Sequence, residues 1–341
     1  MKQIETIHAV GQVIRHDITR IVRGEIKDTA FRKGHIVTEE DIPVLLSLGK
    51  DHLYVFEKDE NMLHENEAAE ILCSICKNEN MEQSEVKEGK IELIATCDGL
   101  FTVDVERLDE INSLDDMMIA TRNNYMPVKK GDKLAGTRII PLTIQKERME
   151  EVIRIGNGKP LLTVHPYRPG KAGIVTTGNE VFYGRIKDTF TDVIIEKIKP
   201  YGIEVMGHEI VNDEIENIKA AILKLKEAGA DMIITTGGMS VDPDDLTPAA
   251  IKASGAKIIT YGAPVLPGAM FLLGYFDDGT PIMGLPGCVM YASTTIFDLM
   301  LPRICSGVRV EKKDIAKLGN GGLCLKCSVC HYPICGFGKG V

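Results

Sequence analysis

From Lys171 onward the chain alternates between short apolar runs and amphipathic stretches. "AGIVTTG" is a continuous run of small and β-branched residues, as expected of a strand buried on both faces. "TDVIIEKIKPYG" carries apolar residues at helical spacing and is stopped by Pro200 and Gly202. "IEVMGHEIV" then reads as a strand, "DEIENIKAAILKLKEAGA" as a helix with acids at its start and glycine at its end, and "DMIITTGG" as a third strand. Strands separated by helices at this spacing run parallel with helical crossovers. The pattern therefore predicts an open, mostly parallel α/β sheet with helices on both faces.

The preceding half has a different rhythm and reads as a smaller α+β region. Thr38 is expected to cap a helix that stops at Gly49, and "HLYVFE" alternates as a strand. Residues 61–77 have helical periodicity. "KIELIATCDGLFTVDV" and "DMMIATRNNYMPVKKGDKLAGTRIIPLTI" are strand-like, and "QKERMEEVIRIG" is a helix. "NGKPLLTVHPYRPG" reads as an extended linker with His165 on its surface. The expected units are residues 1–165, an α/β domain over 171–305 and a cysteine-rich tail over 319–341.

Composition narrows the partners. The 341 residues carry a net charge of −9 without any block of lysine and arginine, which argues against nucleic acid and anionic membranes. The longest apolar stretch, "PVLPGAMFLLGYF", is interrupted by Pro264, Pro267, Gly268 and Gly274 and is too short to span a bilayer. "MKQIETIHAVGQVIRHD" lacks the apolar core of a signal peptide, so a cytoplasmic protein is expected. Cys73, Cys76, Cys97, Cys288 and Cys305 are scattered, and free thiols are the expectation. Cys73 and Cys76 share a helix face, and partly buried thiols are the plainer reading of that pair.

In open α/β sheets ligands bind beyond the carboxyl ends of the strands. Two of those ends carry "TTGNE" and "TTGG". Gly178, Gly237 and Gly238 lack Cβ, so a ligand can reach backbone amides there, and Thr247 with Pro248 is expected to open a helix beside them. Amides so arranged suit an anion. Yet Asp242, Asp244 and Asp245 follow directly. Carboxylates repel phosphate unless a divalent cation lies between, and Mg²⁺ binds through one or two carboxylates plus phosphate oxygens. Asp245 is the expected functional acid, with Asp242 and Asp244 solvated.

"TTGNEV", "GRIKDTFTDVIIEKIKPYGIEV", "ADMIITTGGMSVDPDDLTPAAI" and "PIMGLPGCVMYA", in that order, resemble the molybdopterin-binding domain of molybdenum-cofactor biosynthesis proteins. That family includes the molybdopterin molybdotransferases of the MoeA/gephyrin type and related adenylyltransferases. The resemblance covers residues 171–305. In the first half, "AVGQVIRHDI" and "AFRKGHIVTEEDIPVLLSLGKDHLYVFE" are similar to short stretches of the molybdotransferase N-terminal region, in shortened form. By position, the resemblance assigns Thr177, Gly178, Asn179 and Glu180 to a first substrate loop and Asp188 to the acid opening the next helix. It assigns Thr236, Gly237, Gly238, Met239 and Ser240 to the pterin-phosphate loop, Asp245 to the acid after it, and Gly284, Leu285, Pro286 and Gly287 to a Gly-Leu-Pro-Gly turn. Asn179 stands where an acid is common, and Ala269 and Met270 replace Lys-Pro in the family's Pro-Gly-Lys-Pro pattern.

The resemblance implies binding of molybdopterin or adenylyl-molybdopterin and molybdate insertion, with Asp188 and Asp245 at Mg²⁺ and at the reacting phosphate. A pterin-binding carrier without catalysis, or an α/β domain for another phosphorylated ligand, are the alternatives. A homo-oligomer is compatible with the sequence. In the tail, "CLKCSVCHYPIC" places Cys324, Cys327, Cys330 and Cys335 at C-x2-C-x2-C-x4-C spacing, suited to an iron–sulfur cluster or to zinc. Thiophilic molybdenum is a third occupant, and a floppy reduced tail is the plain alternative.

Overall fold

The computed structural model describes residues 2–22, 26–55, 61–240, 242 and 245–340. Asp244, Phe56 and Glu57 lie outside the described residues.

The alternation from Lys171 onward folds as its periodicity dictates. Strands β1 (Gly170–Thr177), β2 (Ile203–Val211), β3 (Met232–Thr236), β4 (Lys257–Tyr261), β5 (Leu272–Tyr275) and β6 (Pro281–Leu285) form one sheet in the order β2-β1-β3-β6-β5-β4. The β1–β2, β1–β3 and β3–β6 pairings are parallel, while β5 pairs antiparallel with both β4 and β6. Helices α1 (Phe190–Ile198), α2 (Ile215–Glu227), α3 (Thr247–Ala253) and α4 (Ile296–Cys305) cover the two faces.

Alternate strand residues point to opposite faces of a sheet, and the two cores divide accordingly. Ile174, Ile234 and Met283 pack with α1 and α4 on one face. Val175, Ile233 and Ile282 pack with α2 and α3 on the other. Gly173 lets α2 approach, because a Cβ there would lie 2.8 Å from Cβ of Leu225. Gly202, at φ +73°, turns the chain from α1 into β2, where the sequence places its stop.

Residues 1–165 contain two further cores. A small one gathers Ile14, Leu45, Leu53 and Val55. A larger one packs the helices Glu65–Cys76 and Lys146–Gly156 on strands Lys90–Ala95 and Lys133–Ile139. Three expectations change here. Thr38 does not cap the helix Asp41–Ser47; Asp41 instead reaches back to accept from the Thr38 N–H at 2.8 Å. Residues 62–64 leave the expected helix for a strand paired with Thr143–Gln145, and the helix starts at Glu65, capped by His64. The supposed linker contains the strand Leu162–Pro166, antiparallel to Gly99–Val103, with Leu162 and Val164 fully buried. Gly158, Pro160, Pro169 and Gly170 flank it, and Pro166 is its last residue. His165 is half-buried beside Thr102 at 2.9 Å, and burial, with the nearby Arg168 charge, lowers its pKa.

Cys73 and Cys76 are fully buried, so the pair is more enclosed than the sequence suggests, and burial pushes the Cys73 thiol up to about 11. No disulfide joins any of the nine cysteines. Among the described residues no helix is long and apolar enough to cross a membrane.

The central strand β3 has no exposed face at Ile234. Ile234→Ala should lower stability by about 2–5 kcal/mol through lost burial and a residual cavity. Urea denaturation of the full chain, followed by circular dichroism, measures it.

Candidate functional site

The carboxyl ends of β1, β3 and β6 lie side by side, with Thr176 opposite Thr236 and Thr236 opposite Leu285. The loops leaving those three ends enclose a cavity of about 480 Å³. Thr177, Glu180, Asp188, Thr236, Gly237, Gly238, Ser240, Asp245, Pro286 and Gly287 line it, so most of the expected residues meet in one place. Gly178 and Gly284 are not on its wall. Gly284 leaves room for Met239 instead, whose Cε would sit 2.5 Å from a Cβ at that position.

The cavity rests on buried hydroxyls, and buried polar groups must find partners. Thr176 and Thr177 point to opposite faces of β1. On one face the Thr176 hydroxyl reaches Asp188 Oδ2 at 3.1 Å, His208 Nε2 at 2.9 Å and the Thr236 hydroxyl at 3.3 Å. On the other, the Thr177 hydroxyl meets that of Thr247 at 3.0 Å. Thr247, expected as a helix cap, is therefore the first residue of α3 and uses its hydroxyl to join two loops; Leu246 holds the cap position.

Asp188 is the most heavily engaged acid. Its Oδ1 accepts from the N–H groups of Phe190 at 2.8 Å and Thr191 at 3.2 Å, capping α1. Its Oδ2 accepts from the hydroxyls of Thr191 at 2.7 Å and Thr176 at 3.1 Å, with His208 Nε2 3.4 Å away. Burial raises its pKa, but the donors from Thr191, Phe190 and Thr176 outweigh burial and leave it below the ordinary 3.8. Asp188, expected at a cation, thus has both oxygens engaged, by the first turn of α1 and by Thr176 of β1. Asp245 differs: its N–H donates to the Asp242 carbonyl at 2.9 Å, and its carboxylate has no hydrogen-bond partner among the described residues.

Gly237 and Gly238 have φ of +82° and +52°, and a Cβ on Gly237 would lie 2.1 Å from the Thr177 carbonyl oxygen. The missing side chain there lets two loops touch, a role separate from ligand approach. Tyr261 holds the same loop from outside, its hydroxyl donating to the carbonyls of Met239 at 3.1 Å and Ser240 at 3.0 Å.

Sequence reasoning did not single out Thr176, Thr191, His208, Lys187 or Tyr261. Thr176 was within reach, since it repeats the Thr-Thr-Gly pattern of β3. Among the described residues Lys187 is the one lysine or arginine on the cavity wall, which it shares with Glu180, Asp188, Asp242 and Asp245. Met270 also lines it, at the position where the family pattern has a proline after its lysine. Among the described residues no three His, Cys, Asp or Glu side chains converge on a point that could hold a single metal ion.

Residues 173–305 match the family described as a probable molybdopterin binding domain, and residues 3–57 match a domain of unknown function, DUF8806. A CinA-like protein of Desulfosudis oleivorans is 41% identical over 86 residues, which cover 25% of this chain and 21% of that protein. A putative competence-damage inducible protein of Bacillus thuringiensis is 36% identical over 95 residues, 28% of this chain and 23% of its own length. The chain thus spans less than a quarter of the length of these curated relatives. Among solved structures, the molybdopterin biosynthesis enzyme MoaB from Thermus thermophilus aligns at 24% identity and a TM-score of 0.33, covering 41% of this chain and 94% of its own. CinA from Thermoplasma acidophilum, a protein of unknown function, aligns at 18% identity and a TM-score of 0.34, over 40% of this chain and 98% of its own.

The Asp188 cap has a pH signature. A carboxyl held below its unfolded value contributes stability that is present above about pH 4 and drains as pH falls through the lower folded value. Stability of the native chain should therefore fall more steeply below pH 4 than that of Asp188→Asn. Urea midpoints between about pH 6 and pH 3 would expose the difference, and parallel curves would remove Asp188 from the acid limb.

Proposed function

We propose that the cavity within residues 173–305, which match the family described as a probable molybdopterin binding domain, binds molybdopterin or adenylyl-molybdopterin and serves molybdate insertion. The observation that carries this reading is the charge of the wall. Among the described residues four carboxylates and one lysine line the wall beside loops built for close backbone approach. Such a wall repels a bare phosphate and accepts one that arrives with a divalent cation.

The residues present fit Mg²⁺ in a restricted way. Asp245 and Asp242 carry no side-chain hydrogen bonds among the described residues and face the cavity. Asp188 is spent on α1 and positions the first loop through Thr176. One or two carboxylates plus phosphate oxygens suffice for Mg²⁺, so three convergent protein ligands are not needed. When bound, Mg²⁺ would neutralise charge on the phosphate and polarise it toward attack. Lys187 orients the anion from the rim, and the hydrogen-bonded threonines hold the loops in place before the ligand arrives.

A carrier function is the second reading. It is favoured by Ala269 and Met270, which put no cation where the family pattern has lysine. Assembly with adenylyl-molybdopterin, a homo-oligomeric state and a cytoplasmic setting belong to the same proposal.

Calorimetric titration with molybdopterin should give stoichiometric binding strengthened by Mg²⁺. Lys187→Ala should weaken it roughly tenfold, the worth of one charge-assisted hydrogen bond. Asp245→Asn should leave binding largely intact and abolish its magnesium dependence, together with that of any molybdate-dependent turnover. Unchanged magnesium dependence in this variant would rule out Asp245 as the cation's holder. Binding without molybdate-dependent turnover in the native chain would favour the carrier.

A further inference from the structure

The tail does not trail from the domain. Leu323 pairs with Leu266, Cys324 N–H donates to the Leu266 carbonyl at 2.8 Å, and Tyr332 Oη donates to the Asp298 carbonyl at 2.9 Å. Phe337 is buried in the same core as α1 and α4. Glycines permit this docking: a Cβ on Gly322 would lie 2.3 Å from the Pro264 carbonyl oxygen. The segment carrying the four cysteines is thus a loop fastened at both ends.

Between this loop and residues 288–294 lies a second cavity, of about 600 Å³. Five of the chain's nine cysteines line it: Cys324, Cys327, Cys330 and Cys335 from the loop, and Cys288 from the facing wall. His331 lines it too. Cys330 Sγ lies 3.2 Å from the Thr294 hydroxyl, which brings the loop thiols down onto the domain.

The spacing says what would fill it. The C-x2-C-x2-C run is that of iron–sulfur ligation. All four loop thiols line one cavity large enough for a polynuclear centre, on a loop held by the Leu323–Leu266 pairing and the Tyr332–Asp298 hydrogen bond.

We propose that Cys324, Cys327, Cys330 and Cys335 hold an iron–sulfur cluster in this cavity, against the wall formed by Cys288 and Thr294. The cluster site abuts the pterin-type cavity. Gly287 and Met290 line one and Cys288 the other, so the short helix Gly287–Met290 is a shared partition. The inference does not depend on which ligand the first cavity takes.

Full-length protein, reconstituted with ferrous iron and sulfide without oxygen, should retain about four iron and four sulfide per chain after desalting. It should show broad visible absorption that dithionite bleaches. Cys327 and Cys330 are exposed, so Cys327→Ser with Cys330→Ser should lose the iron, sulfide and colour while circular dichroism stays unchanged. Cys97→Ser should keep them. Stoichiometric zinc without sulfide, no metal after reconstitution, or a cluster surviving in the double serine variant would each overturn the proposal.

Discussion

Hydroxyl groups buried at the ends of parallel strands must all be satisfied, and the site is built around the way they are. Thr176, Thr177, Thr235, Thr236 and Thr247 are each nearly or fully removed from solvent. Thr235 gives its proton to the Met283 carbonyl at 3.2 Å, and the others bond to one another, to Asp188 or to His208. Leaving one buried hydroxyl unpaired would cost about 1–3 kcal/mol. One hydrogen-bonded network therefore holds the ends of β1 and β3 to the first turn of α1, a separate Thr177–Thr247 pair on the other face ties β1 to the start of α3, and the loops hang from both.

The division of labour among the acids follows. Asp188 is needed by the network, while Asp245 stands outside it and keeps its lone pairs. Two carboxylates that look equivalent as sequence positions are separated by what surrounds them: one lies at a helix start among donors, the other in a turn.

Much of this was legible in the sequence where the signal is local. The α/β alternation from Lys171 to Gly238 follows hydrophobic period, and the two glycine-bearing strand ends mark the cavity; the antiparallel strands β4 and β5 were not read from the pattern. What stayed hidden depends on long-range registry. The strand Leu162–Pro166 is enclosed by prolines and glycines that imitate a linker, and only its partner Gly99–Val103 makes it a strand. His208 is one polar residue on an edge strand until pairing sets it beside Thr176. Cys288 seemed unrelated to the tail because 36 residues separate it from Cys324, and the pairing of Leu323 with Leu266 closes that distance. Thr247 was read as a cap because Pro248 follows it where a first helical residue would stand; in the structure Thr247 is itself the first residue of α3 and its hydroxyl meets that of Thr177.

The contact between Gly237 and the Thr177 carbonyl bears on the spacing of the strands. A Cβ at position 237 would lie 2.1 Å from that oxygen, so any side chain there would have to push the ends of β1 and β3 apart. The strain would reach the Thr177–Thr247 hydroxyl pair on the same residue. One missing methyl group thus sets how closely two neighbouring strand ends can lie.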